Sequence, residues 1–113
     1  MARRFVRLKC EFVQGHGRAY TYAFDLVIDS EKVVKGWDYV GFSKFRGKED
    51  RSVTEVYPFI IDEDGEMDFG SGFDMTVRFL STNLLSKHIK VSETFTVNDA
   101  GENVYVIKEV NGI

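Results

Sequence analysis

From Arg4 onward, apolar residues occupy every second position: Val6, Leu8, Cys10 and Phe12 alternate with Arg7, Lys9 and Glu11. Period two marks a β-strand with one face in a core and the other in water. The same beat returns at Tyr20, Tyr22, Phe24, Leu26 and Ile28, with Thr21 and Asp25 on the opposite face. Between the two runs lies GHGR, Gly15 to Arg18, whose glycines supply the backbone freedom of a tight reversal. The first two strands are therefore expected to form a hairpin.

The stretch SEKVVKGW, Ser30 to Trp37, reads as one or two turns of helix, with Ser30 as its cap and Gly36 as its stop. DYVGFSKF reads as a further strand, and the polar RGKEDRS as an exposed loop. VTEVYPFIID is a strand that becomes apolar on both faces, and Pro58, lacking an N–H, places it at an edge, bulge or corner. FDMTVRFL alternates through Phe73, Met75, Val77 and Phe79. STNLLSKHIKV loses the period and accommodates a helical turn or a barrel-crossing loop. SETFTV and NVYVIKEV close the chain as a hairpin about NDAGE. Without a repeat or a break in composition, residues 1–113 are expected to form one domain. The expected fold is all-β: a small antiparallel barrel of six or seven strands with at most one or two short helices. Closure is favoured because it removes exposed strand edges.

Composition sharpens this. Ten Phe and five Tyr accompany a single Trp and a single Pro, a bias suited to a pleated, half-buried surface. The net charge of −3 gives no global attraction for nucleic acid. The charge is uneven, however. Met1 to Arg18 holds five basic residues against Glu11 alone, whereas Asp62 to Asp74 holds six acids and no base. These poles would either steer a partner or pair with each other. The lone cysteine, Cys10, rules out an intramolecular disulfide and suits a reducing compartment. MARRFVRLKCEF carries no apolar run of signal-peptide length, and no window is long enough to cross a bilayer as a helix, so a cytoplasmic location is expected.

The most site-like segment is IIDEDGEMDFGSGF, Ile60 to Phe73. Asp62 and Asp64 match the first two ligand positions of a calcium loop, but the third acid falls after Gly65, and no acid closes the motif. Asp64–Gly65 is better suited to a tight reversal between two strands. His16 and His88 are far apart, with no ligand spacing around either, so no metal site is expected. Cys10, between Leu8 and Phe12 on the inward face, reads as a buried and inert thiol rather than a nucleophile. Neither GHGR nor FGSGF has the context of a phosphate cradle. No catalytic residue and no cofactor is expected. Aromatic side chains remain: Tyr20, Tyr22, Trp37, Tyr39, Phe42, Phe45 and Tyr57 serve either as core or as a platform for bases or a small ligand. The subset Trp37 and Tyr39, near the basic Lys44–Arg46–Lys48–Arg51 segment, is the most suggestive.

The C-terminal segment FDMTVRFLSTNLLSKHIKVSETFTVNDAGENVYVIKEV resembles the last domain of elongation factor Tu and small stand-alone bacterial proteins with that barrel. RFVRLKCEFVQGHGRAY is loosely similar to the opening strand of the same domain. The family's Arg-Glu-Gly-Gly turn is matched only at Gly101, since Asn98, Asp99 and Ala100 precede it. The closing strand carries Val104, Tyr105 and Val106 where the family has glycines. The resemblance thus implies a barrel and carries over no functional residue.

Two functional classes follow. The first is a non-enzymatic interaction module, binding an unknown protein or a second copy of itself, with Asp62, Asp64, Lys44 and Arg46 as partner-binding residues. The second is a small-molecule-binding barrel or modest enzyme, with ligand-binding residues Tyr20, Tyr22, Trp37, Tyr39 and Tyr57. RNA binding ranks third, and no membrane role is expected.

Overall fold

The computed structural model describes residues 3–15, 20–46, 54–71 and 78–113. Among these residues nine strands run β1 (Arg3–Gln14), β2 (Thr21–Asp29), β3 (Lys32–Val33), β4 (Tyr39–Arg46), β5 (Thr54–Ile61), β6 (Glu66–Asp68), β7 (Phe79–Thr82), β8 (Thr94–Asn98) and β9 (Glu102–Gly112). All pairings are antiparallel, and eight of the strands form one cycle, β1-β2-β4-β5-β6-β7-β8-β9 and back to β1. The chain is therefore a closed up-and-down barrel, with β3 added beside the far end of β2. The strand count exceeds the expected six or seven because β6 and β3 are too short to show a period in the sequence. β6 lies hidden in the acidic segment.

Alternation decides what the barrel encloses. Val6, Leu8 and Cys10 of β1, and Tyr22, Phe24, Leu26 and Ile28 of β2, are all buried. An eight-stranded barrel is just wide enough for side chains to fill, and here the filling is aromatic. Phe24 meets Phe59 edge-to-face at 5.4 Å and Phe95 at 5.9 Å. Tyr22 meets Tyr105 at 4.9 Å and Phe59 at 6.1 Å. Phe69 joins at 5.1 Å from Phe59. Edge-to-face rings gain electrostatically beyond the apolar area they bury. Gly41, inward on β4, leaves room for this: a Cβ there would lie 2.6 Å from the tip of the Phe59 ring. Register breaks between Lys9 and Cys10, and between Phe12 and Gln14, bend the long β1–β9 pair around the core.

Two local expectations need correction. Ser30 to Trp37 holds no helix; Ser30 turns at φ 59° and the chain doubles back so that Lys32 and Val33 pair with Asp29 and Ile28. Val33 is buried, which a single unsupported helical turn over β-branched Val33 and Val34 would not achieve. Phe79 is 45 % exposed; the phase of β7 is set by Leu80 facing Met67, so Leu80 enters the core instead. Phe73, Met75 and Val77, with His16 to Arg18 of the first turn and Gly47 to Ser52 of the polar loop, lie outside the described residues.

Other expectations hold. β1 and β2 form the first hairpin, and β8 and β9 the last, with Ala100 and Gly101 at positive φ in its turn. The aperiodic stretch contains one 3₁₀ turn, Leu84–Ser86. Pro58 sits in β5 opposite Phe42, two residues before the β6 pairing begins at Ile60. Among the described residues no helix is long and apolar enough to cross a membrane.

Removing the central ring tests the account. Phe24→Ala should cost about 3–5 kcal/mol, read as a fall in the urea midpoint with unchanged slope. A loss below about 1 kcal/mol would mean that the ring cluster does not hold the barrel together.

Candidate functional site

The acidic segment is a hairpin reversal between β5 and β6. Asp62 Oδ1 accepts the amides of Asp64 at 3.0 Å and Glu66 at 2.9 Å, while the Gly65 amide donates to the Asp62 carbonyl at 3.0 Å. An aspartate side chain standing in for a backbone acceptor is a standard turn device. Gly65 adopts φ 88°, and a Cβ there would lie 2.2 Å from the Thr82 carbonyl oxygen. The Thr82 amide in turn donates to the Gly65 carbonyl at 2.9 Å, tying this turn to the segment before the 3₁₀ turn. One Asp62 oxygen is thus committed to holding the loop. Among the described residues no group of three or more His, Cys, Asp or Glu side chains could hold a metal ion.

The charge poles do not pair with each other among the described residues. Arg7 makes a two-pronged bond to Asp25, 2.7 Å for each prong, and Lys9 lies 3.7 Å from Glu109. Asp68 instead holds Arg78 at 2.9 Å and accepts the Gly70 amide at 2.8 Å; the Arg78 hydrogen bond is the main cause lowering its pKa.

The aromatic candidates divide by level along the barrel. Tyr20 and Tyr22 pack together at 6.0 Å, Tyr22 buried beside Tyr105. Tyr57 is half-buried, with its hydroxyl donating to Glu55 at 3.2 Å. Trp37 and Tyr39 lie 6.4 Å apart at the other level, Tyr39 four residues along β4 from Ser43, the partner of Tyr22. Trp37 and Tyr39 line a common cleft, of about 310 Å³, with Val33, Val34, Glu63, Asp64 and residues of the Thr82–Ser86 segment. Tyr39 is buried, and its hydroxyl donates to the Val34 carbonyl at 2.5 Å, pinning the loop that carries Trp37. The cleft had no clear sequence signal beyond Trp37 itself, because its walls come from three separate hairpin ends. Cys10 is fully buried, and burial pushes its thiol well above the usual range, so it stays protonated and unreactive.

A second feature lies outside the barrel. Val40, Phe42, Val56, Pro58 and Ile60 point outward from β4 and β5, and Val40 and Ile60 face each other across the strands, 54 % and 53 % exposed. Lys44 follows on β4, its ammonium 5.2 Å from the Phe42 ring; the side chain of Arg46 and all of Lys48 and Arg51 lie outside the described residues. No family model, no curated protein and no solved structure matches the chain.

Two predictions follow from the turn and the phenols. Gly65→Ala should destabilise the protein by about 1–3 kcal/mol, because the new methyl meets both a disfavoured φ and the Thr82 backbone; an unchanged melting temperature would count against the tie between the two loops. Burial raises the pKa of Tyr22 and pushes that of Tyr105 up to about 12 from an ordinary 10.0. The stabilisation linked to these phenols is complete below pH 10 and is lost as pH climbs from 10 toward 12, where the unfolded chain ionises first. Tyrosinate absorbance and near-ultraviolet dichroism should therefore change together in that window. Five tyrosines titrating near pH 10 with dichroism intact would overturn the assignment.

Proposed function

We propose that this protein is a non-enzymatic interaction module that associates with a second copy of itself through the outer face of β4 and β5. The observation that carries this reading is the contiguous apolar strip Val40, Phe42, Val56, Pro58 and Ile60 on the outside of a ring-filled barrel. Single exposed apolar residues such as Phe5 need no explanation, but neighbours across two strands form a patch.

Charge favours a like partner. The strip is basic at one end, with Lys44 on β4, and acidic at the other, with Asp38 before β4 and Asp62 and Asp64 after β5. A two-fold axis across the strands at the Phe42–Pro58 pair would lay the basic end of each copy over the acidic end of the other. Val56 of one copy would then cover Ile60 of the other. Asp62 keeps its turn-holding role and contributes only through its remaining charge. The area is small, so a transient dimer with a Kd on the order of 10–100 μM is expected. A cytoplasmic setting accords with the free, buried thiol of Cys10.

Sedimentation at rising concentration tests the proposal. The native chain should dimerise more strongly at low salt, Ile60→Asp should be monomeric, and Lys44→Glu should weaken association about fivefold, recovering partly with Asp38→Lys. A native chain that stays monomeric at millimolar concentration would refute it.

A further inference from the structure

The cleft beside Trp37 carries a proposal independent of self-association. Its floor is apolar, formed by buried Val33 and Tyr39 with half-buried Leu85. Its walls are held in place: Tyr39 bonds Val34, Thr82 bonds Gly65 through the backbone, and Thr82 Oγ1 donates to the Thr96 carbonyl at 2.7 Å. Such a cleft is largely formed before a ligand arrives, which limits the ordering cost of binding.

Its rim has a chemical preference. Trp37 is 44 % exposed, and an indole face attracts cations through its quadrupole. The Arg3 guanidinium, 5.9 Å from that ring, already exploits this from the neighbouring cleft, which Arg3 lines and Trp37 does not. On the acidic turn, Glu63 and Asp64 are exposed, and among the described residues neither carboxylate has an ion-pair partner. Among the described residues, Lys35 is the sole cation of the lining against these two anions. An apolar floor, an aromatic lip and a net negative rim select a positively charged head on a short apolar stem.

We propose that this cleft binds a small organic cation, a primary ammonium or guanidinium group carried on a few aliphatic carbons. The stem lies on Val33, Tyr39 and Leu85, and the charged head sits between Trp37 and the carboxylates of Glu63 and Asp64. Lys35 opposes the head and keeps the affinity modest.

The chain's only tryptophan reports on this cleft directly. Its fluorescence should be titrated with n-butylammonium chloride, with n-butanol and sodium butyrate as neutral and anionic counterparts at constant ionic strength. The expected result is a saturable change with Kd on the order of 1 mM for the ammonium, and responses at least about tenfold weaker for the other two. Combining Glu63→Gln with Asp64→Asn should weaken binding about tenfold, and Lys35→Ala should tighten it two- to fivefold, roughly the range of single exposed charge effects. Should the double variant fold poorly, Lys35→Ala and Lys35→Glu decide alone, since both must tighten binding. The monomeric Ile60→Asp variant should bind equally well, which separates this site from self-association. An equal response to n-butanol, no saturation with n-butylammonium, or indifference to the rim charges would overturn the proposal.

Discussion

The ring cluster around Phe24 is the constraint on which the rest of the molecule depends. Tyr22, Phe24, Phe59, Phe95 and Tyr105 come from four different strands, yet they occupy one interlocked volume. Each ring can be buried only if its strand curves around the others, so the packing and the closure of the barrel are one event. Gly41 shows how tight the fit is, since its missing side chain is the space that Phe59 fills. With the interior occupied by its own side chains, the surfaces open to solvent are the outer faces and the hairpin ends.

Those ends are fastened rather than loose. Asp62 holds the β5–β6 turn, Gly65 and Thr82 bind it to the segment that follows β7, and Asn83 Oδ1 accepts the Thr96 amide at 2.8 Å, carrying the tie to β8. At the opposite level, Asn103 donates to the carbonyls of Asp99 and Gly101 and pegs the last hairpin. Short polar side chains replace the ladder where the ladder ends, as buried backbone groups require. The Trp37 cleft owes its definite shape to these ties.

The β3 hairpin links the fold to that cleft. A helix over Ser30 to Trp37 would have been compatible with the local residues, as Ser30 suits a cap and Gly36 a stop. What decides against it is Val33, which finds a buried place only when Lys32 and Val33 extend the sheet beside β2. That choice sends the chain through Val34 and Trp37 toward the acidic turn, and so builds one wall of the cleft. The two proposed surfaces therefore have different origins: the β4–β5 strip from the outward phase of two strands, the cleft from three loops meeting.

The chain's period-two pattern by itself determined the all-β class, the inward faces of β1 and β2, the first and last hairpins, the buried Cys10 and the turn at Asp64–Gly65. Each of these rests on neighbours a few residues apart, where alternation and turn chemistry act directly. Tertiary pairing alone decided the rest. Three-residue β6 and two-residue β3 have too few residues to show a period and exist only because a partner strand is present. The phase of β7 depends on Leu80 pairing with Met67 of the neighbouring β6, which no local pattern encodes. The meeting of Trp37 with Glu63, Asp64 and Leu85 likewise joins residues distant in the chain. Contacts between remote segments are set by how the ring-filled barrel closes, and closure is a property of all eight strands together.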